Sequence, residues 1–293
     1  MTTTLITGAN KGLGYETARR LIAAGHTVYI GSRDAGRGRD AAARLGPRAR
    51  LVLLDVADDA SVDAAAKTIE ADGGLDVLVN NAGIEQRTAT NAVPGAAEIT
   101  ADQMRQLFET NVFGVVRVTH AFLPLLLRSA APVVVNVSSG LASIARLSDP
   151  DSPAYGYPGV AYPASKAAVN MITVQYAKAF PGMRINAVEP GFTATDLNGR
   201  TGIQTVEQGA EIIVRMAQAG QDGPTGGYFD ASGPLPWLPQ EGVTAGTGRT
   251  DGRRGRASPG HAPAAGSWPR SRPPAPPRRP RRRDPRPRCP GAA

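Results

Sequence analysis

Tyr162 and Lys166 stand four residues apart in Tyr162-Pro163-Ala164-Ser165-Lys166. On a helix, that spacing puts both side chains on one face. A free tyrosine has a pKa of about 10, too high for ready proton transfer at neutral pH. A nearby ammonium favours the phenolate and lowers that value. The pair alone is a weak signal, because many helices contain Tyr-x-x-x-Lys by chance. Upstream, Asn136-Val137-Ser138-Ser139-Gly140 closes an apolar run. A serine at such a point can hydrogen-bond a substrate carbonyl, or merely cap a turn. Asn111 lies in Thr110-Asn111-Val112-Phe113-Gly114, inside a long helical pattern. Asparagine is unfavourable there, which hints at a job without defining one.

A second kind of chemistry stands near the N-terminus. Thr7-Gly8-Ala9-Asn10-Lys11-Gly12-Leu13-Gly14 follows a short apolar run and opens a helical pattern. The spacing is G-x-x-x-G-x-G rather than G-x-G-x-x-G, but the physics is shared. Glycines let the backbone turn tightly and approach a pyrophosphate, whose charge a helix N-terminus attracts. Arg33 follows the second apolar run, where an acidic residue would hold the ribose 2′-hydroxyl of NAD. A cation there suits the 2′-phosphate of NADP, and arginine offers it a bidentate fork. Lys11 adds a second cation. Asp34 comes one residue too late for the NAD role, although it keeps NAD open, and Arg33 could also be an ordinary exposed side chain.

The elements that must position these groups follow from periodicity. Strands are predicted at Thr3–Thr7, Thr27–Gly31, Arg50–Leu54, Asp76–Asn80, Pro132–Ser138, Arg184–Glu189 and Gly226–Phe229. Helices are predicted at Lys11–Ala24, Arg37–Leu45, Asp59–Ala71, Tyr162–Phe180 and Val206–Ala219, with one long helix or two in succession over Thr100–Arg128. Runs such as Val77-Leu78-Val79 are apolar on both faces, as expected of a parallel sheet covered by helices on both sides. The alternation predicts an α/β, Rossmann-type doubly wound parallel sheet of seven strands. Ligands of such folds lie beyond the carboxyl ends of the strands, near the switch in strand order.

Composition confines that domain to residues 1–239. The net charge of +8 is unevenly spread: residues 241–293 hold thirteen arginines and three acidic residues, whereas the first 240 hold 20 basic and 22 acidic side chains. Eleven of the 25 prolines also lie in 241–293. Such a segment buries too little apolar surface to offset its ordering entropy, so 240–293 is expected to be a disordered tail. The single cysteine, Cys289, supports no disulfide framework, and His26, His120 and His261 lack ligand spacing, so no metal is expected. There is no signal-peptide pattern, and no apolar run near the ~20 residues of a membrane span. The expectation is a cytoplasmic protein with no membrane partner.

Taken together, the motifs resemble the short-chain dehydrogenase/reductase family. The matching residues are Thr7-Gly8-x3-Gly12-x-Gly14, Asn80-Asn81-Ala82-Gly83, Asn111, Ser139, Tyr162-x3-Lys166 and Pro190-Gly191, in family order over residues 1 to about 232. Asn10-Lys11-Gly12 and Gly73 to Ile84 are most similar to the NADPH-dependent carbonyl reductases. The resemblance implies a small-molecule carbonyl or alcohol substrate, with hydride transfer to or from NADP and NAD less favoured. It implies Tyr162 as general acid or base. Lys166 would lower the tyrosine's pKa and hold the nicotinamide ribose. Ser139 would orient the carbonyl, and Asn111 would hold a water in a proton relay. The cofactor would be cradled by Gly8, Asn10, Lys11, Gly12, Leu13 and Gly14, with Arg33 at its phosphate. Asp55 and Val56 would flank the adenine. Asn81, Ala82 and Gly83 would lie alongside, and Pro190, Gly191, Thr193 and Thr195 would meet the nicotinamide end.

Two features depart from that pattern. The 22 residues between Ser139 and Tyr162 exceed the shorter family members, and the extra stretch Arg146–Pro158 is turn-rich. It reads as part of a substrate-shaping loop, about 141–161, though a plain surface loop has the same composition. It would also obstruct helix faces that relatives use to form tetramers, leaving monomer and homo-oligomer both open. The pocket walls are expected from the 141–161 and 192–204 loops. The tail fits nothing in the family and looks like a reading frame extended past its usual stop. Two competing readings are a non-catalytic NADPH-binding regulator, which tends to lose the Tyr, Lys or Ser present here, and a nucleic-acid binder acting through the tail. The tail's arginines would bind nucleic acid without specificity, and Trp268 alone gives no stacking series.

Overall fold

The computed structural model describes residues 2–237, so the expected tail lies outside the described residues. Five parallel strands form first: β1 (Thr3–Thr7), β2 (Thr27–Ser32), β3 (Ala49–Leu53), β4 (Val77–Asn80) and β5 (Val133–Val137). Then come β6 (Arg184–Val188), β7 (Tyr228–Asp230) and β8 (Gly233–Leu235). Their order is β3-β2-β1-β4-β5-β6-β7-β8. β1 to β7 pair in parallel, with Leu5 opposite both Tyr29 and Leu78. The order reverses beside β1, so a crevice opens beyond its carboxyl end, next to β4.

Seven strands were expected and eight are found among the described residues. The chain turns at Ala231-Ser232 and returns as β8, antiparallel to β7. The segment is too short, and too rich in glycine and proline, to carry a period-two signal.

Successive residues of the inner strands serve opposite cores, which explains their two-faced apolar character. Leu5, Tyr29, Leu78 and Val134 pack with α3 (Asp59–Ala71), α5 (Gly114–Leu126) and α7 (Ala161–Ala179). Ile6, Ile30, Val79 and Val135 pack with α1 (Gly12–Ala23), α2 (Ala35–Leu45) and α8 (Val206–Ala217). α4 (Ala101–Phe108) runs into α5 through a π turn, Glu109–Phe113, so the predicted 100–128 helix is one run with a local bulge. The turn-rich stretch after β5 contains a short helix, α6 (Ile144–Ser148).

The helix starts differ in one respect that bears on function. Asp34, Asp58, Thr100 and Thr205 cap α2, α3, α4 and α8 through side-chain oxygens. The N-cap of α1, Lys11, makes no such bond, and the first turn of α1 holds no acidic residue. Its leading N–H groups therefore remain available at the mouth of the crevice.

Candidate functional site

A cleft of about 1220 Å³ lies over the carboxyl ends of the strands. Its floor begins at the loop between β1 and α1. Gly8 adopts φ +65, a left-handed conformation that glycine enters without strain. A methyl group on Gly14 would come within 2.6 Å of Asn81 Nδ2 and 2.7 Å of the Gly8 carbonyl oxygen. Asn81 explains this tightness: its Nδ2 donates to the carbonyls of Thr7 (2.8 Å) and Gly8 (3.2 Å). Thr7 Oγ1 accepts from the N–H groups of Asn81 and Ala82. The turn after β4 thus clamps the glycine loop from below.

Gly8, Asn10, Lys11, Gly12, Leu13 and Gly14 all line the cleft, as do Arg33, Asp55, Val56, Asn81, Ala82, Gly83, Pro190, Gly191, Thr193 and Thr195. The residues at hand suit a dinucleotide. The bare N-terminus of α1 offers donors to a pyrophosphate, and the glycine loop leaves room for it. Arg33 is exposed and has no ion-pair partner among the described residues. Asp34 is engaged elsewhere: it accepts from the Arg37 backbone N–H at 2.9 Å and from Arg37 Nε at 3.0 Å. Lys11 is not free either, since its Nζ lies 3.0 Å from Asp196 Oδ2 across the cleft mouth.

Deeper in the cleft, Tyr162 and Lys166 share the first turns of α7. Lys166 is 5 % exposed. Its Nζ donates to the Val137 carbonyl oxygen at 2.8 Å and lies 5.6 Å from the Tyr162 ring centroid. Burial brings its ammonium down to about 8. Ser139 follows β5 and caps the turn after it, its Oγ accepting from Leu141 N–H at 3.2 Å. Its carbonyl accepts from Tyr228 Oη at 2.6 Å. Its neighbour Ser138 is 3 % exposed and donates to Asn170 Oδ1 at 2.6 Å.

The phenol of Tyr162 departs from expectation. Burial, reinforced by the Glu85 carboxylate, holds its pKa above the ordinary tyrosine range, while the Ser139 hydroxyl and Arg87 guanidinium pull it back. Lys166 was expected to lower it. The lysine instead directs its ammonium at the Val137 carbonyl, and desolvation of the phenolate dominates.

Asn111 lies in the π turn, 1 % exposed. Its Oδ1 accepts from Ile84 N–H at 2.8 Å, and its Nδ2 donates to the Ile84 carbonyl at 2.9 Å and to Ser165 Oγ at 3.1 Å. It reaches the same point as Lys166, because a methyl on Gly83 would lie 3.5 Å from Asn111 Oδ1 and 3.6 Å from Lys166 Nζ. π turns inside helices are frequently found at functional sites.

Sequence reasoning missed a third wall of the pocket. Besides the two expected loops, Ile84, Glu85, Arg87 and Asn91 line the cleft. Glu189 was missed as well, although a carboxylate at the carboxyl end of a predicted strand, directly before Pro190-Gly191, was a visible signal. Its pKa is raised by burial, against the pull of Arg146. No comparable signal marks Glu85.

The short chain dehydrogenase family model matches residues 2–205. A (+)-neomenthol dehydrogenase from Capsicum annuum is 31% identical, over 77% of this chain and 94% of its own. Salutaridine reductase from Papaver bracteatum is also 31% identical, over 78% of this chain and 94% of its own. Among solved structures, the NADPH-bound carbonyl reductase from chicken fatty liver superposes with a TM-score of 0.70 at 26% identity, over 81% of this chain and 99% of its own.

Proposed function

This chain belongs to the short-chain dehydrogenase family, and on that premise we propose that it is an NADPH-dependent carbonyl reductase, able to run in reverse as an alcohol dehydrogenase. The carrying observation is the convergence of Tyr162, Ser139 and Lys166 on one cleft that begins at the bare N-terminus of α1.

When bound, the nicotinamide supplies the hydride for the carbonyl carbon. The protein supplies position and the proton. Ser139 Oγ donates a hydrogen bond to the carbonyl oxygen. Tyr162 donates its proton to the same oxygen. The raised phenol pKa keeps that proton in place at neutral pH. Lys166, beneath the ring, stabilises the phenolate left behind and holds the nicotinamide ribose. Asn111 stands where a proton relay toward Lys166 would begin. Asp55 and Val56 border the adenine end, and Thr193 and Thr195 the carboxamide end.

NADP is favoured over NAD because Arg33 has no ion-pair partner among the described residues, while the Asp34 carboxylate is held by Arg37. The chicken carbonyl reductase, solved with NADPH, supports the same choice. The substrate is a small ketone, aldehyde or quinone. Purified protein is expected to oxidise NADPH with at least one member of an aldehyde, ketone and quinone panel. Tyr162→Phe is expected to lower turnover by about 10²–10⁴-fold while NADPH binding persists. Nucleotide binding without turnover on any substrate would instead indicate a regulator. Equal affinity for NADH and NADPH, unchanged in Arg33→Ala, would overturn the cofactor choice.

A further inference from the structure

Residues 144–158, between the proposed carbonyl-binding serine and the proposed proton donor, are tied to the rest of the protein by little. Leu147, Ser152, Tyr155 and Tyr157 donate backbone bonds to acceptors within 143–154. The side-chain bonds of Ser148 Oγ, Asp149 Oδ1 and Ser152 Oγ are equally local. Among the described residues, only two hydrogen bonds leave this neighbourhood. Tyr157 Oη donates to Glu85 Oε1 at 2.5 Å, and Arg146 Nη1 lies 3.4 Å from Glu189 Oε2.

Both acceptors are carboxylates on fixed parts of the cleft. Glu85 has a side chain 5 % exposed and is paired with Arg87. Its neighbour Ile84 is gripped at N–H and carbonyl by Asn111. Glu189 directly follows β6, its backbone N–H donating to the Phe229 carbonyl at 2.7 Å. Its side chain is 15 % exposed and lies against the serine turn, since a methyl on Gly140 would come within 2.5 Å of Glu189 Oε1. Burying a carboxylate is costly unless it is paired. Glu85 has Arg87 and, from 144–158, the Tyr157 hydroxyl; for Glu189 the arginine is Arg146, itself the link to 144–158.

We propose that Glu85 and Glu189 are positioning residues that pin the two ends of 144–158, holding it as a fixed wall of the carbonyl pocket and so setting which substrates fit. Arg146 and Tyr157 are the pins. Neither touches the expected reacting atoms; they act through the wall they hold. Each link can be removed without substituting any of the proposed reacting groups.

The test uses the full chain and two substitutions, Tyr157→Phe and Arg146→Met, singly and together. Amide hydrogen exchange on the protein without added nucleotide needs no substrate. In the double variant, exchange across 144–158 is expected to rise about tenfold, while β1, β4 and α7 keep their protection. Unchanged exchange at 144–158 would overturn the proposal, and so would a rise spread evenly over the molecule. The kinetic arm rests on the reductase reading and compares NADPH-dependent reduction of 4-nitrobenzaldehyde, a small probe, with 9,10-phenanthrenequinone, a bulky one. The ratio of kcat/KM between them is expected to shift about tenfold in the double variant, mainly through KM, with NADPH affinity unchanged. A merely structural role would lower both probes together and leave the ratio alone, and that result would overturn the proposal. A wild-type protein inert towards both probes would count against the reductase reading, and the exchange result would still decide the pinning.

Discussion

Burial brings the Lys166 ammonium down to about 8 from an ordinary lysine value near 10.5. The native state therefore tolerates this charge at a cost. Below pH 8 both folded and unfolded chains carry the proton, and the full penalty is present. Between about 8 and 10.5 the unfolded chain binds the proton more tightly, so stability rises with pH across that window. A displacement of this size is worth about 3 kcal/mol. Lys166→Met removes the penalty but strands the Val137 carbonyl, which returns about 1 kcal/mol. The expected outcome in urea unfolding at pH 7 is a gain of about 2 kcal/mol that turns into a loss of about 1 kcal/mol by pH 11, alongside loss of reductase turnover. A destabilised Lys166→Met at pH 7 would mean that the ammonium contributes to folding rather than to chemistry. The gain in stability with loss of activity is the signature of a residue kept for function.

The π turn between α4 and α5 shows how an element places a site residue. One extra residue in the turn carries Asn111 to where its amide can hold both polar groups of Ile84. Asn111→Ala leaves that N–H and carbonyl unpaired in a partly buried place, at a cost of about 1–2 kcal/mol. The loss should appear as a lower urea midpoint together with faster exchange of amides 84–87; protection there unchanged from wild type would contradict the grip. Asn111→Asp is expected to recover only part, since aspartate can accept from the N–H but cannot donate to the carbonyl. The strands and most helices were legible in the sequence because runs such as Val133-Val134-Val135 must be apolar on both faces between two helix layers. Tyr162, Lys166, Ser139 and the glycine loop were legible because their order along an alternating chain is constrained. The π turn was not, because a one-residue bulge leaves no periodic mark. Nor was Glu85, whose burial depends on Arg87 from the same coil and on Tyr157 from a segment 72 residues away. Neither partner is fixed by local pattern.

At the scale of the whole molecule, the chain joins a body of nearly balanced charge to an arginine-rich end. No helix among the described residues is long and apolar enough to cross a membrane. The full chain is expected to be retained on DNA at low salt and released as salt rises, and a chain ending at residue 239 to pass through. That cut should also leave turnover and unfolding midpoint unchanged, because it keeps every contact with the site found among the described residues, the last of them made by Trp237. Trp237 stacks on Tyr228 with ring centroids 5.3 Å apart, and its Nε1 donates to the Gly226 carbonyl at 3.2 Å. Tyr228 in turn donates to the Ser139 carbonyl. A chain ending at residue 232 loses β8 and Trp237 together. Aromatic stacking of this kind is worth about 0.5–1.5 kcal/mol beyond the area it buries, so with the lost strand pairing the cut is expected to cost about 2–4 kcal/mol. It should also loosen the serine turn, lowering kcat more than it raises the Kd for NADPH. If the chain ending at 239 loses turnover while the full chain keeps it, the arginine-rich end belongs to the working enzyme. If the chain ending at 232 keeps full turnover, Tyr228 holds the serine turn without help from Trp237.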